Sequence, residues 1–266
     1  KGSMKMIKNE DATKFFDSKN YIFNENSKLG IYIIHGFSST TYEVKELLNH
    51  LCKLGFYVEA NNLPGHGTTI DDCNHTKYTD WISFVEQDIA RMYIKCDKVI
   101  VMGVSMGGLL AMNLAITFPL DGIVIAGSLL KFKKEFDVRI LTRFFHKIKP
   151  KVIKKHQFDK YNMKHVHFYG YNAYPIIALN EMRKLVDYIS IKLDKIKCPV
   201  LMIHSKDDKT ALYNKNFHLI KNKLSNASVD ALVLDDAGHH LFDPDKKNAK
   251  IIFEKISTFV AKIFNV

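Results

Sequence analysis

The stretch Gly103-Val104-Ser105-Met106-Gly107-Gly108 follows a β-branched apolar run at residues 98–102 and leads into a helical pattern at residues 109–118. A strand, a tight turn around a serine and then a helix form the context that the G-x-S-x-G pattern requires. The pattern therefore predicts that the Ser105 hydroxyl is exposed at a helix N-terminus, where developing negative charge is stabilised. A chance match in a glycine-containing turn is the alternative, and the strand and helix that flank the turn argue against it.

Strands and helices alternate on both sides of this turn. Apolar runs predict strands at residues 29–34, 56–60, 98–102, 122–126, 199–204 and 231–234, and helical spacing predicts helices at residues 41–54, 78–94, 109–118 and 245–264. Unbroken apolar runs are typical of parallel strands buried on both faces. The alternation predicts an α/β protein with a mostly parallel, doubly wound sheet.

Residues 129–196 interrupt the alternation. Apolar side chains recur every four residues there, which predicts one face of a helix that ends at Pro150; they are Phe132, Phe136, Ile140, Phe144 and Ile148. We therefore expect a mostly helical insertion at 129–196 and a core made of 4–128 and 197–266. Residues 1–3, ahead of Met4, are expected to be a remnant of cloning.

A serine hydroxyl is a poor nucleophile until a base takes its proton. With a nucleophile of this kind, the acid and then the histidine follow the serine along the chain. Asp207 and Asp208 both follow the predicted strand at 199–204, and either could be the acid. We favour Asp208 because it lies further into the loop.

The candidate bases follow the next predicted strand, in Gly238-His239-His240. Gly238 allows the chain to bend so that the following side chain points across the sheet edge. His239 is therefore the predicted general base. His240 is expected to be a surface histidine.

Acyl transfer also needs two N–H donors directed at the oxyanion. One donor in this arrangement is the residue after the nucleophile, here Met106, and the other comes from the loop after an early strand. His35-Gly36-Phe37 occupies that loop, so Phe37 is the predicted second donor. His35 is expected to support the loop, and His66 is expected to pack in the loop at residues 63–67.

Together these segments resemble the bacterial carboxylesterase and monoacylglycerol lipase branch of the α/β-hydrolases. The resemblance runs from about residue 29 to the C-terminus and rests on His35-Gly36-Phe37, Leu63-Pro64-Gly65-His66-Gly67, Gly103 to Gly108, Asp207-Asp208 and Ala237-Gly238-His239. It implies the α/β-hydrolase fold, with residues 129–196 as a lid over Ser105. It also implies a triad of Ser105, Asp208 and His239, with Phe37 and Met106 as oxyanion donors. Ser205 departs from the family, in which a glycine is common at that position.

By this resemblance the protein is expected to hydrolyse carboxylic esters of short to medium acyl chain, with monoacylglycerol as one candidate, through an acyl-enzyme and without a metal or organic cofactor. Thioester cleavage and acyl transfer use the same triad and stay open. A ligand-binding protein on this fold is a third hypothesis, and it predicts a damaged triad.

Net charge is +11, and residues 131–165 contribute most of it, with twelve Lys or Arg against three Asp or Glu. In the predicted lid, Phe132, Phe136, Ile140 and Phe144 are expected to line an acyl pocket while the lysines and arginines, Lys154 among them, face outward. A basic amphipathic helix suits an anionic membrane surface. We favour a solvated face that keeps the lid soluble. Nucleic-acid binding is not expected, because no recognisable module is present.

The four cysteines are scattered, with no paired or metal-type spacing. No apolar run is long enough for a transmembrane helix, and the residues after Met4 contain no signal-peptide core. These features predict a protein of the reducing cytoplasm. They give no prediction of its oligomeric state.

Overall fold

The computed structural model describes residues 16–146, 148–154, 169–242 and 248–266. Its strands are β1 (Tyr21–Phe23), β2 (Leu29–Ile34), β3 (Tyr57–Ala60), β4 (Lys98–Val104), β5 (Gly122–Ala126), β6 (Lys151–Ile153), β7 (Ala173–Pro175), β8 (Val200–Ser205) and β9 (Val229–Leu234). The predicted cloning remnant at residues 1–3 lies outside the described residues.

Seven of these strands form one sheet in the order β1-β3-β2-β4-β5-β8-β9. The edge strand β1 runs antiparallel to β3, and the other neighbours in the sheet are parallel. The prediction of a mostly parallel, doubly wound sheet is confirmed. Strand β1 was not predicted, because three residues are too few to show a strand pattern.

Helices cover both faces of the sheet. They are α1 (Lys45–Lys53), α2 (Ile70–His75), α3 (Tyr78–Lys95), α4 (Met106–Thr117), α5 (Thr142–Phe145), α6 (Ile176–Ser190), α7 (Tyr213–Lys223) and α8 (Ala249–Phe264). Helices α2 and α7 were not predicted either. Helix α7 buries only Asn216, Phe217 and Ile220, so its apolar face is too narrow to stand out in the sequence.

Strand β2 explains why the core has two layers. Successive side chains of a strand point to opposite faces of the sheet. Ile31 and Ile33 therefore pack with α1 and α8 in one apolar cluster, and Tyr32 and Ile34 pack with α3 and α4 in the other. The unbroken apolar run of β2 therefore contributes side chains to both apolar clusters.

The register of the parallel strands aligns their carboxyl ends. Ile34 of β2 lies beside Gly103 of β4, and Val104 lies beside Ala126, the last residue of β5. Ser205 and Leu234 end β8 and β9 side by side. Residues that follow these strands therefore meet at one edge, which is where ligands bind in open α/β sheets.

Among the described residues, the start of the insertion after β5 differs from the single helix that was predicted there. Its first part contains a π-helical turn at Asp137–Leu141 that continues into α5. The expected single helix from Phe132 to Pro150 is thus replaced by a shorter one, followed by β6. Strand β6 pairs antiparallel with β7, and α6 then leads back towards the sheet. The boundaries 129–196 stay a prediction.

The returning part of the insertion is bonded to the loop after β2. The Tyr171 N–H donates to the Ser38 carbonyl at 3.1 Å, and Ser39 and Gly170 form an isolated β-bridge. The Ser39 and Thr40 hydroxyls both donate to the Tyr169 carbonyl. We call residues 169–171 the clasp, because their backbone atoms form the hydrogen bonds that hold the loop at residues 38–40.

Within the described part of the chain, every helix is too short or too polar to cross a bilayer.

Candidate active site

Ser105 sits at the turn between β4 and α4 with an unusual backbone. Its φ is +55° and its ψ is −115°, a region that non-glycine residues adopt at a cost of about 1–3 kcal/mol. The turn is closed tightly, because a Cβ on Gly103 would overlap the backbone of Gly107, and one on Gly107 would overlap the backbone of Ile34. The glycines of the motif are therefore required by close approach of the backbone.

Two features hold the serine at the sheet edge. The Ser105 N–H donates to the Ala126 carbonyl at 2.8 Å, which ties the turn to the end of β5. The next residue, Met106, is the first residue of α4. The first N–H groups of a helix have no partner within it and favour negative charge in front of them. Ser105 itself is 6% exposed.

His239 and Asp208 meet across the same edge. Nδ1 of His239 lies 2.7 Å from Oδ2 of Asp208. Both side chains are close to Gly127, since a Cβ at that position would lie 3.4 Å from His239 Nδ1 and 3.5 Å from Asp208 Oδ2. Gly127 directly follows Ala126, the residue that accepts the Ser105 N–H. The two predicted partners thus lie in the loops after β8 and β9, at the same edge of the sheet as the serine.

The surroundings of Asp208 keep it ionised. Burial alone would raise its pKa, but the charge and hydrogen bond of His239 and the N–H groups of Thr210 and Ala211 outweigh burial and lower the pKa to about 2. Those N–H groups donate to Oδ1 at 2.7 and 2.8 Å. Because a carboxylate only accepts hydrogen bonds, His239 carries a proton on Nδ1, and its neutral form is basic at Nε2.

Asp207 has a different position. Its Oδ1 accepts hydrogen bonds from the Ser205 hydroxyl at 2.6 Å and from the Gly238 N–H at 2.7 Å. Ser205 in turn accepts the Ala237 N–H at 2.9 Å. The serine that departs from the family pattern therefore joins the loop after β8 to the loop after β9. Gly238 has a φ of +67°, which suits glycine and allows the bend before His239.

The loop at residues 35–38 lies beside Ser105. A Cβ on Gly36 would be 3.3 Å from the Cβ of Ser105. The Phe37 side chain is half-buried and packs edge-on against Trp81, with 6.4 Å between ring centroids. Phe37 thus follows a residue that lies close to Ser105, and Met106 follows Ser105 itself. Their role as oxyanion donors stays a prediction.

His35 supports this loop, as predicted, and His66 also bonds to it, although His66 was predicted only to pack in the loop at residues 63–67. Nε2 of His35 accepts the Leu63 N–H at 3.1 Å, and its Nδ1 lies 2.9 Å from the Gly36 carbonyl. Nε2 of His66 accepts the Ser38 N–H at 3.1 Å. Burial lowers the pKa of both rings, that of His66 to about 3. Neutral rings can accept these N–H groups.

The expectation that His240 is a surface histidine is wrong. Its side chain is 21% exposed, and Nδ1 lies 3.3 Å from Oε1 of Glu43. Its ring also meets Tyr169 edge-on, at 4.8 Å between centroids. Glu43 was not among the predicted site residues, since an acidic residue at the start of a helix usually needs no further explanation. Only the fold brings these two distant residues together.

The predicted acyl-pocket residues do not gather around Ser105. Phe136 and Phe144 are each 66% exposed, and Ile140 is also exposed. Phe132 is buried in the apolar cluster that contains Met106 and Leu129. The expected division into inward apolar and outward basic residues is therefore wrong for this segment. Lys154 was expected to face outward, but it is 8% exposed and donates to the Ser38 hydroxyl at 2.8 Å.

In the residues that the structure describes, no group of three or more His, Cys, Asp or Glu side chains is arranged to hold a metal ion.

The sheet order and the serine turn between β4 and α4 are those of an α/β-hydrolase of the esterase and lipase type. Residues 25–246 match the family described as serine aminopeptidase, S33, and the chain belongs to this family.

Two relatives indicate where the chain falls among these hydrolases. It is 29% identical to a thermostable monoacylglycerol lipase of Bacillus sp. (strain H-257), over 70% of this chain and 73% of the relative. It is 22% identical to a carboxylesterase of Bacillus subtilis (strain 168), over 94% of this chain and 99% of the relative.

Solved structures agree on the fold. A structure from a study of two metagenome-derived lipolytic enzymes, LipS and LipT, has a TM-score of 0.81 at 22% identity, covering 92% of this chain and 98% of that one. The monoacylglycerol lipase of Paleococcus ferrophilus has a TM-score of 0.75 at 18% identity, with the same shares covered.

Proposed function

We propose that this protein hydrolyses carboxylic esters of short to medium acyl chain, with monoacylglycerols as the leading candidate substrates, and that Ser105, His239 and Asp208 act as a catalytic triad. The observation that carries the proposal is the 2.7 Å hydrogen bond between His239 and a buried, ionised Asp208, at the same edge of the sheet as Ser105.

In the proposed first step, Ser105 Oγ attacks the ester carbonyl and Nε2 of His239 accepts its proton. Asp208 holds the imidazole in the tautomer that is basic at Nε2 and stabilises the cation that forms. The proton then passes to the leaving alcohol, and an acyl-enzyme remains on Ser105. Water, activated by His239, attacks the acyl-enzyme and releases the acid.

The backbone N–H groups of Phe37 and Met106 are the proposed donors to the oxyanion. Support comes from the start of α4 at Met106 and from the close approach of the Gly36 backbone to Ser105. Fixed donors of this kind lower the barrier because they need no reorganisation when the charge develops.

The substrate class is supported by relatives, which are named as a monoacylglycerol lipase and a carboxylesterase. A cytoplasmic location also remains part of the proposal. It is supported by the four cysteines, all of which are free thiols.

The first test compares the parent with Ser105→Ala on p-nitrophenyl esters of graded chain length and on monoacylglycerols. Ser128→Ala is the matched control, because it removes another buried hydroxyl near α4, one that has no hydrogen-bond partner among the described residues. We expect a loss of about 10³-fold or more in Ser105→Ala and parent-like rates in Ser128→Ala.

Mass spectrometry with a fluorophosphonate probe completes the test. Adduct formation on the parent that is absent in Ser105→Ala supports the proposed nucleophile. A parent that neither hydrolyses any ester nor reacts with the probe would overturn the proposal. An amino-acid p-nitroanilide checks for peptidase activity, which the family description raises.

A further inference from the structure

Glu43 is a buried acid beside the candidate active site for which the proposed triad has no use. It lies in the short 3₁₀ turn at Thr41–Val44, ahead of α1, and its side chain is 5% exposed. Burying a carboxylate is costly unless its oxygens are well bonded. Each of its two oxygens has a partner, and the two partners belong to different loops.

The first oxygen holds the loop after β2. Oε2 of Glu43 accepts the Gly36 N–H at 2.8 Å. His35 fixes the following peptide unit, because its Nδ1–H donates to the Gly36 carbonyl at 2.9 Å while its Nε2 accepts from Leu63. A trans peptide is planar, so the direction of the Gly36 carbonyl also sets the direction of the Phe37 N–H. Glu43 and His35 together therefore orient that N–H.

The second oxygen reaches the loop after β9. Oε1 of Glu43 lies 3.3 Å from Nδ1 of His240, the residue that directly follows His239. The His240 ring is held from its other side by Tyr169 in the clasp. One carboxylate thus links the backbone N–H next to Phe37 with the side chain of the residue next to His239.

We propose that Glu43 and His240 form a positioning pair. The pair fixes the loop at residues 35–38, which carries the Phe37 N–H, relative to the loop at residues 235–240, which carries His239. The inference rests on the proposed function, because it assigns Phe37 and His239 the roles given there. Glu43 does not touch the reacting atoms in this proposal. It acts through Gly36 and His240.

Electrostatics support the same role. Burial alone would raise the pKa of Glu43, but the hydrogen bond and charge of His240, the Gly36 N–H and the charge of His239 lower it to about 2. The bases whose charge interacts with this carboxylate include His35, His66, Lys154, His239 and His240. Since such interactions are mutual, the ionised Glu43 also favours the imidazolium that forms on His239 during the reaction.

Four variants separate these contributions. Glu43→Gln keeps a neutral acceptor for Gly36 but removes the charge, and Glu43→Ala removes both contacts. His240→Leu removes the second link alone. Glu46→Gln is the matched control, since it neutralises an exposed acid of α1.

With ester substrates we expect kcat to fall about 10-fold in Glu43→Gln and about 100-fold in Glu43→Ala, with KM within about twofold of the parent. The acidic limb of the pH–kcat profile should move to lower pH in Glu43→Gln, because a neighbouring negative charge no longer favours protonation of His239. The double variant of Glu43→Gln and His240→Leu should lose less than the product of the two single losses. Glu46→Gln should match the parent throughout.

Amide hydrogen exchange tests the inference without any substrate. Peptides covering residues 35–38 should exchange faster in Glu43→Gln and Glu43→Ala than in the parent and in Glu46→Gln, while peptides of β4 should not change. Unchanged exchange in this loop, or an unchanged kcat in both Glu43 variants of an active parent, overturns the inference.

The same experiments distinguish failure of the proposed function from failure of the positioning role of Glu43. If the parent lacks both ester hydrolysis and probe labelling while the loop exchanges faster in the Glu43 variants, the proposed function fails and the positioning of the loop by Glu43 is supported.

Discussion

Asp207 Oδ1 accepts the backbone N–H of Gly238 at 2.7 Å, one residue before His239. The adjacent Asp208 bonds the imidazole of His239 itself. Two neighbouring carboxylates thus hold the same loop at two points, one through its backbone and one through its side chain. Substitution of Asp208 should therefore lower activity, whereas substitution of Asp207 should mainly lower stability.

Asp208→Asn should lower kcat by about 10⁴-fold, because the amide favours the wrong imidazole tautomer. Asp207→Asn should keep activity within about tenfold and lower the free energy of unfolding by about 1–2 kcal/mol, through weaker bonds to Ser205 and Gly238. Steady-state kinetics and urea unfolding of both variants measure this. Equal losses of kcat would mean that Asp208 has no special role in catalysis.

The strained backbone of Ser105 predicts that glycine at this position makes the protein more stable than alanine does. Ser105→Gly should raise the free energy of unfolding by about 1 kcal/mol relative to Ser105→Ala, because glycine adopts a φ of +55° without the steric cost. The comparison with alanine cancels the lost hydroxyl. Urea unfolding of the two inactive variants gives the difference, and a less stable glycine variant would contradict the strain argument.

Lys154 predicts a pH-dependent stability. Burial lowers its pKa from 10.5 to about 7. Between these values the unfolded chain binds the proton that the folded protein has released, so this lysine makes stability rise with pH from about 7 to about 10. Lys154→Met should flatten that rise, measured as Tm at pH 7 and pH 9.5. The exposed Lys151→Met is the control and should keep the parent slope. Identical slopes in all three proteins would show that Lys154 is not buried as described.

The buried Phe132 and the exposed Phe136 of the insertion should differ in their contribution to stability. Phe132→Ala should lower the free energy of unfolding by about 3 kcal/mol, because its side chain is 6% exposed. Phe136→Ala should change it by less than about 0.5 kcal/mol. Chain-length profiles on p-nitrophenyl esters should be unchanged in Phe136→Ala. A shift in that profile would restore Phe136 to the acyl site and contradict its exposure.

The parts of this protein that the sequence predicts well are those governed by local patterns. Apolar runs predicted the sheet strands from β2 onward, and the glycines around Ser105 predicted the tight turn, since both depend on nearby residues. The role of His35 as a support of the loop after β2 was also predicted correctly. Edge strand β1 and helix α7 carry too little apolar pattern to be recognised.

The parts that the sequence did not predict depend on contacts between distant segments. Glu43 and His240 are far apart in the chain, and nothing in either local sequence indicates a hydrogen bond between them. The prediction of an acyl pocket in the insertion failed because a spacing of four residues shows only which side chains share a helical face. It does not show whether other residues cover that face. Phe136 and Phe144 share such a face and remain exposed.

The clasp has a consequence for protein engineering. Because residues 169–171 are bonded by their backbone to Ser38, Ser39 and Thr40, they form a single structural unit with the loop after β2 although they come from the insertion. A chimaera that imports another hydrolase's insertion should therefore place its second crossover before Tyr169. The recipient's own clasp would then be retained, and selectivity could be recombined without rebuilding the loop beside the serine.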